Sequence, residues 1–370
     1  MSLSLSLQSP SSRLSLPPLL QLFLSLALWA IAALAQAAPP QASSSGPVAA
    51  QFVRSGALRS PQLAIIINDV DPNSVQVGEY YRRRRDIAPR NVIHVQIPNH
   101  PHRLSAAQFH LLKAEIDAKL DPAVEAVLMV WTAPYAVECN SITAAFTLGF
   151  DPGQCARTCA TGQPSSYFNA GASKPYTELG LRLSMLMPTD SVERAKALID
   201  RGVASGFRTA EASAYYLITS EKARNTRAPF FPPDGRINAK KLQTRVLKSG
   251  ALENARDIMI YQTGMAEVGK LDTLKFLPGA LADHLTSLGG DLLGDAQMSS
   301  LRWLDAGATA SYGSVSEPCN FWQKFPNPAV LLRHYVQGNS AIEAYWKSVA
   351  WPAQGVFIGE PLATPYPARR

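Results

Sequence analysis

The feature that most constrains this chain is a repeated alternation of short apolar runs with longer amphipathic ones. Leu63 to Asn68 is brief and rich in Ile, which reads as a buried strand. Asp71-Pro72-Asn73-Ser74 then turns the chain and caps a helix reaching Arg85. Asn91 to Ile97 predicts a second strand, Ser105 opens a helix to about Leu120, and Glu125 to Trp131 predicts a third strand. The stretch 132–189 has many glycines and prolines and little periodicity, so it reads as irregular. The alternation then resumes, with a helix from Ser191 to Ala204, a strand over Ala214 to Thr219, a helix over Asn238 to Leu252 and a strand over Asp257 to Thr263. Phe276 to Leu288 fits either state. A helix from Gln297 to Asp305, a strand from Gly307 to Val315, helices over Pro328 to Gln337 and Ala341 to Val349, and a strand over Gly355 to Ile358 complete the pattern. Such alternation predicts an α/β fold, a mostly parallel sheet flanked by helices, with a flavodoxin-like doubly wound sheet as the alternative arrangement. Residues 61–190 are expected to form an N-terminal α/β subdomain and 191–370 a C-terminal one.

The first forty residues address the compartment. Arg13 is the only charge before an apolar run from Leu19 to Leu34, interrupted only by Gln21 and Ser25. Ala33-Leu34-Ala35 and Ala35-Gln36-Ala37 follow at signal-peptidase spacing. Residues 1–37 therefore read as a cleaved secretory signal and 38–60, rich in Pro, Ala and Ser, as a linker. Export to the periplasm or beyond is expected, with no membrane span in the mature chain.

Charged residues are 17% of the chain and hydrophobic ones 46%, which favours a packed globule over disorder. The net charge is +7, and Arg82 to Arg85 resemble a nucleic-acid patch. They end a helix, where consecutive side chains point different ways and cations suit the dipole, so nucleic-acid binding is not expected. The charge fits an unidentified ligand or acidic envelope component equally well.

Four cysteines in an exported chain favour two disulfides over a metal site or a free thiol. Cys139 and Cys319 both follow strand-like runs, and Cys155 and Cys159 share one loop, so Cys139–Cys319 and Cys155–Cys159 are the expected pairs. Ligands of parallel sheets bind beyond the carboxyl ends of strands. Those ends hold Asn68 and Asp69; Thr263, Gly264 and Glu267; Asp283 and His284; and Glu317 with Asn320. Each is equally explained as a cap or turn residue. Asp283 and His284 stand out because small or apolar residues surround them, although neighbours on a strand face opposite ways. Cys319 is the best-placed thiol, with His284 and His334 as its candidate bases, if it is unpaired. No GxSxG elbow, Walker loop or GxGxxG fingerprint occurs, so no cofactor is expected.

The segments LPGALADHLTSLGG (277–290), WLDAGATASYGSVSEPCN (303–320) and EAYWKSVAWPAQGVFIGEPLA (343–363) resemble a family of uncharacterised exported bacterial proteins. More distantly, the order of elements and the closing GEPLA at 359–363 are similar to the last part of gingipain-type cysteine peptidases, which implies a caspase-like fold. In that group a histidine followed by glycine ends one strand and the nucleophilic cysteine ends the next. Here those places read Gln262-Thr263-Gly264 and the stretch Gly279 to Ser287, without the dyad. Two functions follow as expectations: a binding or envelope-associated protein without cysteine-peptidase chemistry, or a hydrolase using Asp283, His284, Glu267 and Glu317.

Overall fold

A computed structural model describes residues 57–206 and 211–366. The expected signal peptide and most of the linker lie outside the described residues. The last linker residues are packed: Leu58 is buried, and its backbone N–H donates to Glu343 Oε2 at 3.0 Å.

In chain order the elements are β1 (Leu63–Asn68), α1 (Pro72–Arg85), β2 (Val92–Val95), β3 (Arg103–Leu104), α2 (Ala106–Asp117), β4 (Ala126–Val130), β5 (Ala136–Val137), β6 (Asn140–Ser141), α3 (Ile142–Leu148), α4 (Pro152–Ala156), α5 (Pro175–Leu179), β7 (Leu183–Met187), α6 (Val192–Ala204), β8 (Ala212–Ile218), β9 (Gly235–Ile237), β10 (Leu242–Lys248), β11 (Ile258–Thr263), β12 (Phe276–His284), α7 (Leu301–Asp305), β13 (Ala310–Ser314), α8 (Pro328–Val336), α9 (Ala341–Ser348) and β14 (Gly355–Gly359). The caps read from the sequence are in place. Asp71 accepts from the Asn73 N–H with Pro72 in the first helical turn, and Ser105 and Gln108 form a reciprocal capping box.

Eleven strands form one sheet in the order β2-β1-β4-β7-β14-β13-β12-β11-β8-β10-β9. β2, β1, β4, β7 and β14 are mutually parallel, as are β13, β12, β11, β8 and β10. The two sets meet antiparallel at β13 and β14, where Ser314 pairs with Gly355 and Ala310 with Gly359. The carboxyl ends of one set therefore lie at the sheet edge opposite those of the other. β9 adds an antiparallel edge to β10, and β3, β5 and β6 make a small separate sheet. The expected mostly parallel α/β architecture is present.

Three segments differ from the sequence reading. Asn238 to Leu252 is not a helix: β10 pairs with β8 over seven residues, and Leu242 and Thr244 are buried at the strand period. Leu242 and Val246, four apart, mimic a helical stripe there. Helix over Gln297 to Asp305 is confined to Leu301–Asp305, because the Gln297 side chain accepts from Thr286 Oγ1 and Leu288 N, both at 2.8 Å. The stretch 132–189 hides a fully buried central strand, β7, whose sequence LSMLM has no β-branched residue to signal it. The ambiguous segment resolves into β12.

Candidate functional site

Asp283 and His284 end β12, paired with Gln262 and Thr263 at the end of β11. Period-2 geometry sends Asp283 and Gln262 to one face and His284 and Thr263 to the other. On the first face the buried Asp283 carboxylate receives Arg227 Nη1 and, at 2.9 Å, Gln262 Nε2. Arg227, only 2% exposed, also donates to the Thr263 carbonyl at 2.7 Å and the Pro326 carbonyl at 3.2 Å. Burial pushes the Asp283 carboxyl above its ordinary range, while the guanidinium and the Gln262 amide pull it back.

This cluster sits where a ligand of such a sheet would bind. β8 lies between β10 and β11, so the chain runs outward from β8 to β10 and then crosses back to β11, and this reversal opens a crevice between the ends of β8 and β11. The chain closes that crevice itself. Thr219 Oγ1 donates across it to the Gly264 carbonyl at 2.7 Å, and the loop after β8 carries Arg227 to the Asp283 carboxylate. A Cβ at Gly264 would stand 2.0 Å from the Arg224 carbonyl oxygen, so glycine is required where this loop crosses.

On the other face His284 is fully buried. The Trp303 indole N–H, which can only donate, reaches Nδ1 at 2.9 Å. Nδ1 is therefore the acceptor, and Nε2 carries the proton and donates to the Met298 carbonyl at 3.0 Å. Burial drives the imidazole pKa down to about 3. Both nitrogens are committed and the ring stays neutral, so His284 locks Trp303 and the 298 loop in place and has no acid–base capacity left.

The remaining strand-end residues do not converge. Asn68 clamps the backbone of Ile97, donating to its carbonyl at 3.2 Å and accepting from its N–H at 2.9 Å. Asp69 pairs with His94 at 2.6 Å on the opposite sheet edge from Asp283. Glu267, Glu317 and Asn320 are exposed, and Glu317 accepts from the Cys319 N–H at 2.7 Å. His334 meets Asn169 at 3.1 Å and is pushed down to about 4 by burial.

The cysteine pairing corrects the expectation. Cys139 bonds Cys155 and Cys159 bonds Cys319, and no described cysteine is free. Asp151 caps α4, and Asn140 Nδ2 holds the Asp151 carbonyl at 2.9 Å, which turns Cys155 towards Cys139. Cys159, beyond the helix end, reaches Cys319 instead. Cys155 lies within the short helix α4 while Cys159 lies beyond its end, and the two take different partners.

Sequence reasoning missed Arg227, which lies in a Pro-rich loop without periodicity. It also missed Glu360, which is buried and takes Arg85 Nη2 at 2.6 Å and the Tyr81 hydroxyl at 2.8 Å. The arginine run is thus divided: Arg82 and Arg83 pair with Glu79, Arg84 with Asp200, and Arg85 turns inward.

No protein-family model matches the chain, and no curated protein matches it in sequence. Solved structures similar to it include the Arg-specific cysteine proteinase gingipain R (TM-score 0.46, 10% identity, covering 84% of this chain and 79% of that one). A structure described as a protease is similar at TM-score 0.45 and 9% identity, with the same coverage. The complex of Porphyromonas gingivalis RgpB pro- and mature domains is similar at 0.40 and 11%, covering 82% and 79%. At this level the likeness carries no argument about site or reaction. The α/β assignment rests on the sheet itself. No helix of the described residues is long and apolar enough to cross a membrane.

Proposed function

We propose that this is an exported α/β protein of the bacterial envelope that works by binding and has no cysteine-peptidase activity. The observation that carries this reading is the filled crevice: Arg227, Asp283 and Gln262 occupy the strand ends where a substrate would enter, all buried, with Arg227 and Gln262 both donating to the Asp283 carboxylate. Thiol catalysis needs a free thiolate with a base beside it. Both features are opposed by the two disulfides and by the committed nitrogens of His284. The net charge of +7 is compatible with an anionic envelope polymer as the ligand without selecting it. The hydrolase reading draws no support from the geometry, since Glu267 and Glu317 are exposed and neither contacts Asp283 among the described residues.

Two assays on the full chain test the reading. Wild type and Cys319→Ala are offered peptide and ester libraries with and without mild reduction, and neither is expected to turn over substrate. Cleavage by wild type that vanishes in Cys319→Ala would overturn the proposal. In parallel, retention on immobilised anionic polymer is expected at low salt and is lost as salt rises; absence of retention at any salt counts against an anionic ligand.

A further inference from the structure

The two disulfides differ in accessibility. Cys139 and Cys155 are half-buried, and their sulfurs receive donors: Asn140 Nδ2 approaches both at 3.3 and 3.4 Å, and the Cys139 N–H reaches Cys155 Sγ at 3.3 Å. Cys159 is exposed and Cys319 half-buried, and no described residue donates to either sulfur. Thiol–disulfide exchange requires a thiolate to reach a sulfur, so a small reductant meets Cys159–Cys319 first. Beside this bond lies a carboxylate. The Sγ atoms of Cys159 and Cys319 and a Glu317 oxygen all lie within 4.8 Å of one another.

The neighbourhood does not depend on the bond. Lys324 Nζ holds the Thr158 carbonyl at 2.6 Å, and Gln154 Nε2 holds it at 2.8 Å. Gln354 Nε2 holds the Glu317 carbonyl at 2.9 Å, while Ser316 Oγ reaches the Cys139 carbonyl at 2.7 Å. The residues flanking both cysteines are therefore tied down by groups that reduction leaves untouched. Opening the S–S bond lets the sulfurs part to about 3.8 Å, the separation set by two Zn–S bonds of about 2.3 Å at a tetrahedral angle.

We propose that Cys159, Cys319 and Glu317 form, once their disulfide is reduced, a three-ligand site for a thiophilic divalent cation such as zinc. A small dithiol supplies two electrons and two protons, the S–S bond becomes two thiols, and the dithiol leaves as its own disulfide. On metal binding both thiol protons go to solvent, the two thiolates and the carboxylate ligate the ion, and water takes the fourth position.

The test uses the full oxidised chain, reduced with limiting dithiothreitol and desalted without oxygen. Alkylation mapping is expected to find Cys159 and Cys319 labelled before Cys139 and Cys155. Cobalt(II) is then expected to bind one per chain with thiolate-to-metal charge-transfer absorption, and zinc to displace it. Glu317→Gln keeps both disulfides and is expected to weaken binding by about tenfold or more. The double variant Cys139→Ser/Cys155→Ser is expected to bind as wild type, and Cys319→Ser to lose the absorption. Near-ultraviolet circular dichroism checks that the reduced chain stays folded. The proposal is overturned by equal or earlier labelling of Cys139 and Cys155, by loss of the fold on this reduction, by reduced Cys159 and Cys319 without charge-transfer absorption, or by undiminished affinity in Glu317→Gln.

Discussion

Removing one or the other partner of the buried Arg227–Asp283 pair should have opposite pH signatures. Arg227→Met strips three donated hydrogen bonds and leaves Asp283 without its cationic partner, facing the neutral donors Gln262 and Tyr345. The stranded carboxyl escapes by taking a proton. Holding it neutral at pH 7, against an unfolded pKa of about 3.9, costs at most about 4 kcal/mol, at about 1.4 kcal/mol per pH unit. Breaking a buried pair typically costs about 3–5 kcal/mol, so most of the loss is this neutralisation. Burial already holds the Asp283 pKa above its ordinary range, and loss of the guanidinium raises it further, so the folded variant binds the extra proton. Stability then falls as pH rises, and the penalty should shrink by up to about 2.7 kcal/mol between pH 7 and pH 5. Asp283→Asn offers no such escape, because a guanidinium does not deprotonate in this range; its penalty should be as large and flat over the same interval. Arg227→Met/Asp283→Leu should recover most of the loss. Urea denaturation of the oxidised chain, followed by tryptophan fluorescence at both pH values, measures all three. A pH-independent loss in Arg227→Met, or losses under about 1 kcal/mol in both single variants, would refute the ion-pair account.

Three further outcomes follow from the same contacts. Gly202→Ala places a Cβ 2.3 Å from Glu360 Oε2, so denaturant midpoints should fall by an amount matching about 1–3 kcal/mol of overpacking. His284, neutral down to about pH 3 when folded, binds fewer protons than in the unfolded chain up to about pH 6.5, so its contribution is lost as pH falls through that window; His284→Phe, although less stable at pH 7, should show a shallower acid dependence between pH 6 and pH 4. The secreted chain should begin at or near Ala38, and N-terminal sequencing that finds Met1 on exported material would overturn the cleavage.

Much of the fold was legible because its strands are marked by composition. Leu63 to Asn68 carries three isoleucines, and all six of its residues are buried. Segments without such marking were lost. β7 consists of Leu, Ser and Met, and β10 places Leu242 and Val246 four apart by coincidence of its own alternation. The disulfide count was legible but the connectivity was not, since that depended on α4, a five-residue helix inside a stretch that read as irregular. Arg227 carried no signal. A single arginine among prolines becomes informative only when β8 and β11 are known to be neighbours.

The collection of strand-end residues failed as a site for a reason of topology. Gathering Asn68, Asp69, Asp283, His284 and Glu317 assumes that all strands point the same way. β14, from the end of the chain, instead joins two parallel sets and runs antiparallel to β13. That one orientation sends Asn68 and Asp69 to one edge of the sheet and Asp283 to the other. No local pattern encodes it: Gly355 to Gly359 reads as a strand in either direction, because strand propensity is blind to polarity. Within the second set the strand period then parts Asp283 from His284, one to each face, and each finds partners there that neutralise or lock it. A neighbouring Asp and His at the end of a single strand are thus poor evidence for a shared site, whereas two such residues at the same register on adjacent parallel strands, as Gln262 and Asp283 are, must share a face. In this chain that pair is held by Arg227, and the place a ligand would take is part of the core.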